Sequence, residues 1–114
     1  MYHKVHHCVL VTLVGMTVAG TLSAFALEQT ALEKRGESLL AMHCSRCHAT
    51  GRSGASVHLD APPFRTLSSR YPVEGLGEAL AEGLSVGHPD MPEFVFDPDE
   101  ISAILVYLKS IQEH

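Results

Sequence analysis

Cys44, Cys47 and His48 lie within the short stretch CSRCH. Two thiols and an imidazole this close suit three chemistries: structural zinc, a thiol–disulfide couple, or covalent attachment of haem. The rest of the sequence decides between them.

Structural zinc wants four ligands, commonly a second Cys/His pair at similar spacing. Cys8 is the only other cysteine, and it precedes an apolar run near the start of the chain. His43, His58, His88 and His114 form no H-x₃₋₅-H pair among themselves. A redox dithiol of thioredoxin type belongs beside a βαβ pattern, and no alternating strand pattern occurs. A disulfide between Cys44 and Cys47 would close too short a loop to stabilise much. Haem attachment needs one thiol for each vinyl group and a histidine directly after the second. CSRCH meets that requirement, with Cys44 and Cys47 as attachment points and His48 as an axial iron ligand.

A second axial ligand is then needed. Met91 lies well downstream of His48, between Pro89 and Pro92, far enough along the chain to reach the opposite haem face. Met42 stands just before Cys44 and is too close to do so. His88 and His58 are the competing ligands and would make the iron bis-histidine.

The elements that must hold these residues read as helices and long loops. Residues 1–26 are mildly basic, then uncharged and apolar, and close on Ala24-Phe25-Ala26, a small-residue pattern of the kind cut after export. The expected division is a signal peptide over 1–26 and a functional domain over 27–114. Cys8 to Leu27 could instead remain as a membrane anchor, since about 20 apolar residues span a bilayer. Seven of the eight basic side chains and all 13 acidic ones follow Ala26, a formal charge of 7 − 13 = −6 for that segment. Such a surface excludes nucleic acid and anionic lipid as natural partners. A domain of this size has little core and usually needs a metal, cofactor or cross-link.

Leu32, Gly36, Leu39 and Leu40 repeat near the helical period and predict a helix over Glu28–Cys44. Residues 49–64 read as loop. A second helix is expected over Val73–Leu84, weakened by Gly75, Gly77 and Gly83. Asp97, Pro98 and Glu100 form an N-cap, a first-position proline and a capping-box glutamate for a last helix, with Ile101, Ile104, Leu105 and Leu108 as its apolar stripe. The pattern is all-α, with no repeat. Connections this long are uncommon unless they wrap something.

With these residues in place the chain resembles the class I c-type cytochromes, the small monohaem bacterial group. Gly36, Leu40 and Cys44 resemble the four-residue steps of that family's first helix. Ile104, Tyr107 and Leu108 resemble its terminal-helix contact motif, whose aromatic packs near the first-helix glycine. Met91-Pro92 resembles its ligand loop, and Ala61-Pro62-Pro63-Phe64 its Pro-x-apolar segment. There the proline carbonyl accepts a hydrogen bond from the axial histidine's Nδ1, which implies that role for Pro62. The departures are Leu40, where an aromatic is common, and the doubled proline at 62 and 63. The resemblance implies a small cytochrome c fold of three to four helices and long loops around one covalently bound haem c. It further implies a non-enzymatic one-electron carrier of the bacterial periplasm, with a dehydrogenase as donor and an oxidase or reductase as acceptor. The membrane enters only if the leader is retained. The other readings are a cytochrome subunit of a dehydrogenase or oxidase complex, and a haem sensor or peroxidase if Met91 is not a firm ligand.

Overall fold

A computed structural model describes the backbone of residues 3–83 and 88–113, with side chains from Ser23 onward. Helix α1 runs from His3 to Cys44. A long connection follows, then two short 3₁₀ segments at Phe64–Ser69 and Val73–Gly75. Helix α2 covers Leu76–Glu82 and helix α3 Pro98–Ile111. Among the described residues there is no strand, in agreement with the all-α expectation. None of the described helices is long and apolar enough to cross a membrane.

Two compact units divide the chain, Met1–Thr30 and Ala31–His114, and the second holds every residue of the CSRCH chemistry. The helix expected from Glu28 extends upstream to His3 without interruption, because that segment holds no proline to stop it. The second helix is shorter than its leucine repeat predicts. Its first turn is wound as 3₁₀, and the α-helix stops at Gly83, whose φ of 104° only glycine adopts readily. Leu84 lies outside the described residues. The 3₁₀ segment at Phe64–Ser69 is not expected from the sequence. Pro63, at φ −60° and ψ 135°, leads into it, and Gln112 closes it by donating from Nε2 to the Phe64 carbonyl at 2.9 Å and accepting from Ser68 N–H at 2.8 Å.

The core gathers around α3, which packs against α2 and both 3₁₀ segments and is crossed by α1 at Gly36. A Cβ on Gly36 would collide with the Ala103 carbonyl oxygen, and it would stand 2.7 Å from that carbonyl carbon and 2.8 Å from Tyr107 Cβ. The absent side chain lets the two helices cross at backbone contact. Around the crossing, Leu40, Ile104, Tyr107 and Leu108 are buried, joined by Leu67, Val73, Leu80, Phe96, Ile101 and Ile111. Helix α3 begins on the expected capping box: Glu100 N–H donates to Asp97 Oδ1 at 2.9 Å, and Asp97 N–H donates to Glu100 Oε2 at 3.2 Å.

Candidate functional site

The CSRCH turn is the end of α1. His48 N–H still reaches the Cys44 carbonyl at 2.9 Å, and Cys47 N–H reaches the same oxygen at 3.2 Å. Both thiols are free and half-buried. Burial, followed by the neighbouring Cys47, pushes the Cys44 thiol up to about 11. A redox dithiol runs on a thiolate of lowered pKa, so this environment opposes that chemistry. It suits a thiol that ends in a neutral thioether.

The chain then loops away and returns. His58 N–H donates to the Cys47 carbonyl at 3.1 Å, Phe64 N–H to the Ala49 carbonyl at 2.9 Å, and Ala49 N–H to Ser56 Oγ at 3.0 Å. Helix α3 secures this loop from outside. Tyr107 Oη donates to the Thr50 carbonyl at 3.0 Å, and Arg52 bridges the Ser110 carbonyl and hydroxyl and Glu33 Oε1. The returning segment delivers two contacts to the His48 ring. Nδ1 stands 2.8 Å from the Pro62 carbonyl oxygen, and the Phe64 ring lies tilted against the imidazole with centroids 4.6 Å apart. A carbonyl can only accept, so Nδ1 carries the proton and Nε2 presents its lone pair outward.

Met91 stands on the second loop, half-buried, its N–H donating to the His88 carbonyl at 3.1 Å. Anchors hold that loop on both sides of it. Downstream, Phe96 N–H donates to the Leu80 carbonyl at 2.9 Å, and the rings of Phe94 and Phe96 meet His43 of α1 edge-on at 5.7 and 5.4 Å. Upstream, His88 packs edge-on against His58 at 5.1 Å. The structure thus joins Cys44, Cys47, His48 and Pro62 in one hydrogen-bonded unit and brings Met91 in on a separate loop.

The histidine and aspartate partners across the loops are not anticipated by helical or strand periodicity. A signal for them does exist. His58-Leu59-Asp60-Ala61-Pro62-Pro63-Phe64 and His88-Pro89-Asp90-Met91-Pro92-Glu93-Phe94 share the spelling H-x-D-x-P-x-F. One copy carries the carbonyl that faces His48, the other carries Met91.

The donor set fits haem c: two adjacent free thiols, and an imidazole whose Nδ1 is engaged while Nε2 is available. Residues 31–108 match the family model described as cytochrome C oxidase, cbb3-type, subunit III. No curated protein and no solved structure matches.

Proposed function

Because the chain belongs to the cytochrome c oxidase cbb3-type subunit III family and is therefore a haem-based electron-transfer protein rather than an enzyme by itself, we propose that it is a periplasmic one-electron carrier. One haem c is attached through Cys44 and Cys47, with His48 and Met91 as axial ligands. The observation that carries this reading is the 2.8 Å approach of His48 Nδ1 to the Pro62 carbonyl. It fixes the tautomer in which Nε2 is a neutral metal-binding nitrogen, and a hydrogen-bonded Nδ1–H makes that nitrogen more basic.

Haem supplies a one-electron Fe(III)/Fe(II) change. The chain's residues orient it and exclude water. Phe64 limits rotation of the His48 ring. Pro92 and the anchors at His88 and Phe96 restrict the Met91 backbone, reducing the entropy that a weakly binding thioether must overcome. A thioether beside an imidazole raises the potential relative to two imidazoles. With both axial positions filled, no site remains for a substrate.

Export rests on the Ala24-Phe25-Ala26 pattern, with Leu27 as the first mature residue. A dehydrogenase donor and an oxidase or reductase acceptor would meet the carrier in small, transient contacts. The family description favours one further reading, in which the chain is a dedicated cytochrome subunit of an oxidase; stable co-purification with one would establish it.

Optical spectra of the purified haem-loaded protein in both redox states test the site. The expected result is a low-spin six-coordinate iron with a weak red sulfur-to-iron charge-transfer band when oxidised, and colour that stays with the polypeptide in acid–acetone. A high-spin spectrum, or rapid CO binding by the unmodified protein, would refute methionine ligation. Intact mass of the exported protein tests cleavage before Leu27.

A further inference from the structure

The two H-x-D segments face each other. His58 Nε2 stands 3.5 Å from Asp90 Oδ2, and His88 Nε2 stands 3.7 Å from Asp60 Oδ2, so each histidine pairs with the aspartate of the other loop. Locally the copies are built alike. Asp60 N–H reaches His58 Nδ1 and Asp90 N–H reaches His88 Nδ1, each at 3.3 Å; Ala61 and Met91 N–H each donate to the histidine carbonyl at 3.1 Å. Ligand atoms of His58, His88 and Asp90 all lie within 4.8 Å of one another.

We propose that this cluster binds a divalent transition-metal cation of the zinc or copper(II) class, separate from the haem iron and linking the two loops. Two observations carry the assignment. The donors are two imidazoles and the Asp90 carboxylate, with Asp60 beside His88, a nitrogen–oxygen set that suits these ions. The spacing is also close to what an ion requires. Bonds of about 2.0–2.1 Å to a tetrahedral ion place neighbouring donor atoms roughly 3.4 Å apart, near the 3.5 Å between His58 Nε2 and Asp90 Oδ2.

Binding is a proton shift without net chemistry. In the metal-free state each Nδ1 faces a backbone N–H, so the ring proton sits on Nε2, toward the carboxylate. A cation taking the Nε2 lone pair moves that proton to Nδ1, and the long contact from the aspartate N–H is given up. The metal–ligand bonds replace it.

Zn2+ titrated calorimetrically into the haem-loaded full chain tests the assignment, with thermal melts followed at the haem band. Other histidines of the protein can also take zinc, so the decisive quantity is the difference between variants. The expected result is that H58N/H88N binds one equivalent fewer than the unmodified protein. At Zn2+ about 100-fold above Kd, the thermal midpoint of the unmodified protein should rise by about 10 °C, and the double variant's should not. D60N/D90N, which keeps both imidazoles, should weaken the same equivalent at least tenfold and serves if the histidine variant does not fold. Unchanged stoichiometry in both variants, or loss of the low-spin haem spectrum in H88N alone, would overturn the proposal. The first would leave plain His–Asp pairing, the second would make His88 an iron ligand.

Discussion

Two loops with the same spelling are supported in different ways. The segment from His58 to Phe64 is held largely by hydrogen bonds: Phe64 N–H to Ala49, the Gln112 amide to Phe64, Arg65 to the Gly54 carbonyl at 2.8 Å and to Glu113 at 2.8 Å, and the Pro62 carbonyl against His48. The segment from His88 to Phe94 rests, among the described residues, on two ring contacts and the crossed His–Asp pairs, with the Phe96 N–H to Leu80 carbonyl bond just beyond it. Directional bonds fix orientation, whereas edge contacts between rings and half-exposed ion pairs are softer. The loop that must orient an imidazole is the rigid one. The loop carrying Met91 is the one that can yield.

The largest effect is expected at the two thiols proposed to hold haem. Replacing Cys44 and Cys47 by Ser should yield a colourless, largely unfolded chain, since the remaining core is small; far-UV circular dichroism and the absence of a haem band report it. Next in size is Met91→Ala, which should lower the reduction potential, abolish the red charge-transfer band and admit CO, while His48 stays bound. Spectroelectrochemistry and CO titration check both parts.

A matched pair then measures the two supports. Phe94→Ala should cost about 2 kcal/mol, less than a fully buried Phe→Ala because the ring is half-exposed, and the charge-transfer band should bleach at lower temperature than the main haem band. Phe64→Ala should cost a similar amount without that selective bleaching. Equal bleaching in the two variants would erase the distinction between the loops.

The smallest effect is expected at Pro62→Ala. The acceptor is a backbone carbonyl and survives the substitution, so only the restricted φ is lost, about 0.5–1 kcal/mol in denaturant melts with the spectrum unchanged.

Short-range features are legible in the residues themselves, and long-range ones only where the family resemblance supplies them, as for Pro62 against His48. The capping box of α3 is written in Asp97-Pro98-Asp99-Glu100, and the paired thiols with their adjacent imidazole in CSRCH. The close crossing at Gly36 is legible through the resemblance, which sets Tyr107 near it, while the Ala103 backbone contact, from the far end of the chain, is not. The 3₁₀ segment after Pro63 escapes a reading by period, because its closure comes from Gln112 just beyond α3. Glu74, Glu78 and Glu82 read as a continuous acidic ridge, yet Glu74 is paired with Lys109 Nζ at 3.1 Å and its carboxyl is held below the usual range by hydrogen bonds to backbone and lysine. Only Glu78 and Glu82 continue that face. The crossed His–Asp pairs needed the two H-x-D segments to be compared with each other, not with a helical or strand template.

The Gly36–Ala103 crossing also sets an order of events. It joins residues distant in sequence, and a contact that closes so long a loop carries a loop-closure entropy cost and forms slowly. A polypeptide made from its N-terminus presents CSRCH before Ala103 and Tyr107 exist. During that interval the thiols are not yet held in the half-buried pocket that raises Cys44 to about 11. Gly36 is thus a contact that waits for the far end of the chain, and substitutions there should slow closure as well as weaken the finished protein.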